Sequence, residues 1–333
     1  MTRGTGQHRD LLAEGGAAVS AKRPSPGPIT ILPESNAMFS DAVEAGGGRL
    51  VPLSSETRGI VWIANHSPEV LLNALEKFPE IQWVQLPWAG VDKFSGVLSR
   101  FADEEWPLWT SAKGAYSEPV AEQALALSLA LLRQFPQRAL WTSWATEQTG
   151  TSLYGKRVVI VGAGGIAIEI MRLMAAFDAH VTIVRRSPGE LAGADLTVTT
   201  ERLHDVLPDA DVVILAAAST TGTAKLIGTA EFALMKKEAV LVNIARGALI
   251  DMDALVAALR DGEIAGAGLD VTDPEPLPDD NELWNEPACI ITSHSADTPP
   301  MTQPLLANRI RVNVAAFLGD GRFVGTVDPE AGY

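Results

Sequence analysis

The 333-residue chain has one cysteine, Cys289. One cysteine cannot close an intrachain disulfide, and a chain without disulfides suits a reducing, cytoplasmic setting. Cys289 lies between Ala288 and Ile290 in an apolar stretch, so it is expected to act as a small buried hydrophobe. Basic residues are in deficit: 26 Lys and Arg face 41 Asp and Glu, for a formal net charge of −15. That balance argues against nucleic acid or an anionic membrane surface as a partner. Any anionic ligand must then be held by a locally basic site. No apolar run approaches the roughly 20 residues of a membrane span. Residues 1–28 lack a secretory apolar core and end in "KRPSPGP", which predicts a flexible leader or a mis-assigned start. No repeat of solenoid period is present.

What is present is a large apolar fraction, 47%, in a chain long enough for two domains. In the first half, "ITILP" (29–33), "RLVPL" (49–53), "GIVWIA" (59–64), "IQWVQLP" (81–87) and "PLWTSA" (107–112) read as strands. Helix-like stretches separate them, such as "SPEVLLNALEKF" (67–78), where Ser67 is expected to cap and Glu69 and Glu76 to face solvent. This alternation predicts a small open α/β domain over 29–116 with a parallel sheet. The segment 117–141 is Ala- and Leu-rich and apolar on more than one face. It reads as a long helix buried between domains or subunits.

The second half alternates more strongly. Seven runs read as strands: 157–163, 180–186, 196–200, 211–218, 239–245, 266–271 and 288–294. They predict a doubly wound parallel sheet of Rossmann type over 117–299, with ligands at the carboxyl ends of its strands. A last amphipathic segment, 302–321, is expected to return to the first domain and complete it as part of 300–333.

The first of those strands runs into "VGAGGIA", of the form G-x-G-x-x-A at Gly162, Gly164 and Ala167. The pattern follows a strand, opens a helix and precedes a second strand, which is the context dinucleotide binding requires. Gly162 makes the tight turn. Gly164 lets a pyrophosphate approach main-chain N–H groups at the helix start, with Gly165 and Ile166 next in line. An NAD site places an acid about 20 residues on, to accept from the ribose 2′-OH. Here Arg185, Arg186 and Ser187 occupy the strand end, and nothing acidic lies between His180 and Gly189. A guanidinium suits a 2′-phosphate instead. The expected cofactor is therefore NADP(H) in preference, with NAD(H) still possible.

Three further pieces fall at predicted strand ends: Arg246 in "VNIARGALID", Glu275 in "DVTDPEPLP" and His294 in "IITSHSAD". Each has a bland reading as a surface charge or a satisfied loop histidine. Together, on the ligand face of a nucleotide fold, they read as a catalytic set.

With these pieces in order, the chain resembles the D-isomer-specific 2-hydroxyacid dehydrogenases. The resemblance rests on "AGVD" (89–92), "GAYSEPVAEQALAL" (114–127), "GAGGIA" (162–167), "TTGTAKLIG" (220–228), "VNIARGALID" (242–251), "LDVTDPEPLP" (269–278) and "SH" (293–294). The "DVTDPEPLP" piece and the 19-residue gap from Glu275 to His294 look most like the glyoxylate/hydroxypyruvate reductase branch. The resemblance implies a Rossmann coenzyme domain inserted in a smaller flavodoxin-like substrate domain, and a homodimer. It implies that Arg246 grips the carboxylate of a 2-keto acid, that His294 donates a proton to the carbonyl oxygen, and that Glu275 orients His294. Histidine suits a proton donor near pH 7, and a neighbouring carboxylate favours its charged form. By the same carry-over, main-chain N–H groups at Ala89 and Gly90 hold the substrate carboxylate. Asp270 faces the nicotinamide carboxamide, Asn243 supports the strand end beside Ala245 and Arg246, and Thr223 lies near the cofactor. No metal is expected.

The chain also departs from the family pattern. Tyr116 stands where Asn is frequent, Ala216 and Ala218 replace the usual His and Pro, and Ser293 replaces a frequent Pro. Trp88 and Trp284 either wall the pocket or pack in the core. Two other functions share this fold. A nucleotide-sensing co-repressor is disfavoured by the acidic chain. An NAD-dependent phosphoglycerate dehydrogenase is disfavoured by the Arg185 pair and by the short segment after the last helix. Formate dehydrogenases place Gln where Glu275 stands.

Overall fold

Short β-branched runs bounded by Gly, Pro and Asp become strands, and the helices between them force each sheet to be parallel. The computed structural model describes residues 23–64, 66–146 and 148–329. The chain divides into two compact units, one from the residues up to Tyr116 with Thr298 onward, the other Ser117–Asp297. Among the described residues, no helix is long and apolar enough to cross a membrane.

The first unit runs β1 (Ile29–Leu32), α1 (Ala37–Ala45), β2 (Gly59–Trp62), α2 (Pro68–Lys77), β3 (Trp83–Gln85), α3 (Ser95–Arg100) and β4 (Leu108–Thr110). Its strands pair in sequence order, all parallel. Trp62, Trp83 and Trp109 are fully buried, so much of the chain's small aromatic content sits in this core. A C-terminal helix, Pro299–Leu318, buries Ile310, Val314 and Phe317 in one cluster with Val43 of α1 and Ile29 of β1. Burying each such side chain contributes about 1.5–3 kcal/mol.

Three local expectations fail here. The run 49–53 is no strand; only Leu50 bridges to Ile29, because Pro52 has no N–H for a ladder and a polar turn follows. Ser67 does not cap α2: its φ is 56° and its hydroxyl makes no capping bond. Pro68, with its preset φ, starts that helix. The end of the expected leader is also docked. Arg23 Nη2 donates to the carbonyls of Ala316 (2.6 Å), Gly319 (2.8 Å) and Gly321 (2.8 Å), satisfying the free end of the C-terminal helix. Its guanidinium lies 5.8 Å from the Phe323 ring centroid. Residues 1–22 of the expected leader lie outside the described residues.

The second unit runs α4 (Ser117–Leu132), α5 (Phe135–Ala139), β5 (Arg157–Val161), α6 (Gly165–Met174), β6 (His180–Arg185), β7 (Leu196–Thr199), α7 (Leu203–Val206), β8 (Val212–Leu215), α8 (Thr229–Leu234), β9 (Val240–Asn243), α9 (Met252–Arg260), β10 (Gly266–Leu269) and β11 (Cys289–Ile291). All seven expected strands form. Their order is β11-β10-β9-β8-β5-β6-β7, parallel throughout. Alternation along β5 shows the double winding: Val158 and Ile160 point into a core with α4 and α6, Val159 and Val161 into a core with α8 and α9.

The segment 117–141 breaks at Gln134, which takes a left-handed φ of 52°. Pro136 cannot continue a helix interior without clashing with the preceding turn. α4 buries Val120, Ala121, Ala124, Leu127 and Leu131 within its own unit's core. Cys289 sits half-buried on β11, where burial, with a smaller push from Glu286, lifts its thiol to about 12.

Candidate active site

The order of the seven-stranded sheet reverses between β5 and β8, and crevices at such points receive ligands. Gly162 leaves β5 there with φ 126°; a Cβ on it would collide with the Ala216 carbonyl beyond β8. Only glycine accepts both the conformation and the contact. Gly164 differs. A Cβ on it would meet nothing of the protein within 4 Å, so packing does not demand glycine. Open space above main-chain N–H groups at the start of α6 is what a pyrophosphate requires. No acidic residue lies in the first turn of α6. Gly165 and Ala167 are buried and Ile166 is half-buried.

β6 ends on Arg185, half-buried, with Arg186 and Ser187 exposed beyond it. Thr223 lies in the loop after β8. Its hydroxyl accepts from Thr220 N (2.8 Å) and sits 2.9 Å from the Ala218 carbonyl, so its bonds hold that loop together.

The catalytic candidates follow three adjacent strands. Asn243, Leu269 and Ile291 lie side by side at the ends of β9, β10 and β11. Three residues past Asn243 comes Arg246. Asn243, fully buried, accepts from Ala245 N (3.0 Å) and donates to the Arg246 carbonyl (2.9 Å). Arg246 Nη1 donates to the Ala245 carbonyl (2.7 Å). The next residue, Gly247, packs so closely that a Cβ would run into the Thr272 main chain. The Arg246 turn and the segment leading to Glu275 are therefore seated against each other.

Asp270 directly follows β10 and is 2% exposed. Its main-chain N donates to Asn243 O (2.9 Å), and its main-chain O accepts from His294 N (2.6 Å). Its carboxylate accepts from Thr292 Oγ1 (2.6 Å), Ser295 N (2.9 Å) and Ala296 N (3.2 Å). His294 and Ser293 both occupy the left-handed region, at φ 53° and 49°. The His294 ring meets Glu275 Oε1 through Nδ1 at 2.6 Å, with side chains 47% and 44% exposed. An ionised carboxylate only accepts, so Nδ1 carries the proton, and Nε2 is the nitrogen that remains for other chemistry.

Sequence reasoning missed Asp297, three residues after His294 and half-buried. Burial lifts its carboxyl above the ordinary carboxylate range; His294 opposes that, Asp270 adds to it and Arg246 opposes it. Asp297 thus lies in electrostatic range of both His294 and Arg246. The acid was visible in "HSAD", but nothing in its spacing matched a known role. Trp284 is 44% exposed, with Nε1 donating to Pro278 O (2.9 Å), and is not core.

In the first unit, Ala89 and Gly90 are exposed on the loop after β3. Ala112 N donates to Trp88 O (3.1 Å), and the buried Tyr116 hydroxyl donates to Pro87 O (2.5 Å). The Trp88 and Tyr116 rings meet edge to face at 5.9 Å. Tyr116, the departure from the usual Asn, therefore braces this loop from behind.

Residues 125–296 match the family model for the D-isomer specific 2-hydroxyacid dehydrogenase NAD binding domain. The chain belongs to the D-isomer-specific 2-hydroxyacid dehydrogenase family. These are oxidoreductases, and the glyoxylate reductase branch is among its relatives. An uncharacterized protein in the proB 3′ region of Corynebacterium melassecola is 34% identical over 298 residues, 88% of this chain and 95% of that one. A glyoxylate reductase of Pyrococcus horikoshii is 32% identical over 219 residues, 62% of this chain and 65% of that protein. This chain therefore spans just under two thirds of that reductase's length. The crystal structure of a glyoxylate reductase from Paecilomyes thermophila matches with a TM-score of 0.73 at 25% identity, covering 92% of this chain and 99% of that one.

Proposed function

We propose that this dehydrogenase-family chain reduces a small 2-keto acid, of the glyoxylate or hydroxypyruvate type, to the D-2-hydroxy acid, and prefers NADP(H) to NAD(H). The observation that carries the reading is the His294–Glu275 pair at 2.6 Å, which with Arg246 follows three adjacent strand ends. Arg246 binds the substrate carboxylate as a rigid fork and polarises the keto oxygen. His294 gives the proton from Nε2 to that oxygen, and Glu275 holds the ring and stabilises the imidazolium before transfer. The nicotinamide, when bound, supplies the hydride to C2. The keto group thus becomes CH–OH with one hydride and one proton.

In this reading, residues 117–299 bind the coenzyme and residues 29–116 with 300–333 bind substrate, through main-chain N–H groups at Ala89 and Gly90. Gly164, Gly165 and Ile166 face the pyrophosphate. Arg185, Arg186 and Ser187 face the 2′-phosphate, where the charge-assisted bonds of a guanidinium are strongest. Asp270, Thr223 and Ala245 border the nicotinamide half. Cells keep the NADP pool more reduced than the NAD pool, which favours the reductive direction. A single unpaired cysteine supports a cytoplasmic setting.

The partner in this reading is a second copy of the chain. Phe135, Leu140, Trp141, Trp144 and Tyr154 are all exposed within 20 residues of the coenzyme unit, large apolar side chains of the kind that a second copy would cover.

The deciding experiment is an NADPH-oxidation panel over glyoxylate, hydroxypyruvate, pyruvate, phenylpyruvate and branched 2-keto acids, with NADH in parallel. Turnover of a small keto acid with NADPH ahead of NADH is the expected result. Failure to oxidise NADPH or NADH with any of them would reject the reading.

A further inference from the structure

The turn that carries His294 is an unfavourable one. Ser293 and His294 both hold φ near +50°, a region that side chains with a Cβ avoid, and two in succession revert to extended backbone unless something holds them. Four bonds to Asp270 do so: His294 N to its main-chain oxygen, and Thr292 Oγ1, Ser295 N and Ala296 N to its carboxylate. The Ser295 hydroxyl closes the turn on the Thr292 carbonyl.

Thr292 has one hydroxyl proton, and the buried carboxylate of Asp270, 2.6 Å away, can only accept it. Its oxygen is then left to accept, and Gln123 Nε2 donates to it at 3.0 Å. The direction of the chain is fixed: Gln123 amide, Thr292 hydroxyl, Asp270 carboxylate, His294 turn. Gln123 belongs to α4, which is held in the core through Ala121, Ala124 and Leu127. The relay ties a strained loop to a rigid helix 169 residues away in sequence.

We propose that Gln123 and Thr292 are positioning residues for His294, acting through the carboxylate of Asp270. The proposal rests on the reading of His294 as the proton donor. The ring's own hydrogen bond is to Glu275, not to either residue. They hold Asp270 and the turn so that Nδ1 stays on Glu275 and Nε2 keeps its direction. Polar chains that end on a buried carboxylate couple their members more strongly than isolated pairs.

The test uses Thr292→Val, which keeps the shape and loses the hydroxyl, with Thr292→Ser, Gln123→Leu and His294→Ala alongside. One readout needs no cofactor: the downfield proton resonance of the short His294 Nδ1–Glu275 bond, assigned by its loss in His294→Ala. Thr292→Val and Gln123→Leu should weaken or shift that resonance and lower kcat about 10- to 100-fold, with KM and NADPH affinity changed less than about 3-fold. Thr292→Ser should restore both. An unchanged resonance and kcat in Thr292→Val overturns the proposal, as does Thr292→Ser failing as badly as Val. If Thr292→Val does not fold, comparing Gln123→Leu with Thr292→Ser decides the same question. Full turnover in His294→Ala would sink the proton-donor reading alone, since the resonance still reports whether the relay orients the ring.

Discussion

Glu275 Oε1 and His294 Nδ1 lie 2.6 Å apart although 19 residues separate them. The pair fixes which imidazole nitrogen is free and, under the proposed mechanism, with it the atom that gives the proton. His294→Ala should cut turnover by about two to four orders of magnitude while NADPH binding stays nearly intact. Glu275→Gln should cost less and leave the ring present but poorly oriented. Stopped-flow NADPH oxidation and cofactor titration read both; a fully active His294→Ala would end the assignment.

The end of β6 offers Arg185, Arg186 and Ser187 with no acid up to Gly189. Arg185→Asp combined with Arg186→Ala should move preference toward NADH by one to two orders of magnitude, roughly the value of one charge-assisted pair. The ratio of kcat/KM for the two cofactors measures it. An unchanged ratio removes both arginines from the 2′-phosphate.

Gly247→Ala should loosen the site without touching a charged group. The added methyl falls on the Thr272 main chain, so the Arg246 turn or the approach to Glu275 must shift. Overpacking of this kind costs about 1–3 kcal/mol. Lower Tm and lower kcat/KM together are the expected outcome, measured by melting and steady-state rates.

Asp297 gives a pH signature. Burial, the leading cause, raises its folded-state affinity for a proton above that of the unfolded chain. At low pH both states are protonated and nothing is lost. As pH rises past the unfolded value, about 3.9, the unfolded chain ionises first and stability falls, until the folded group ionises too. Asp297→Asn should therefore melt higher than wild type at pH 7, with the gain fading below about pH 4. A gain that is constant across pH would contradict this assignment.

Much of the fold was legible in the sequence because it follows from local rules. The central strands of the coenzyme unit, β5, β8, β9 and β10, are buried on both faces and read as apolar runs, while β6, β7 and β11 are legible from β-branched residues. The Gly162–Ala167 turn is equally local. Local patterns mislead where a proline overrides them. Ser67 resembled a cap, but Pro68 set the helix start. The run 49–53 looked like a strand, but Pro52 left it a single bridge.

The order of apolar runs, the glycine turn and the Arg246, Glu275 and His294 motifs were determined by the sequence alone, since each depends on residues close along the chain. The tertiary structure alone decided what those motifs touch. The left-handed turn at Ser293 and His294, the carboxylate of Asp270 that holds it, and Gln123 behind Thr292 come together over separations of 22 to 169 residues. No local pattern encodes such contacts. They exist because a parallel sheet brings the carboxyl ends of β9, β10 and β11 side by side, and a buried carboxylate must gather its donors from whatever chain passes within reach.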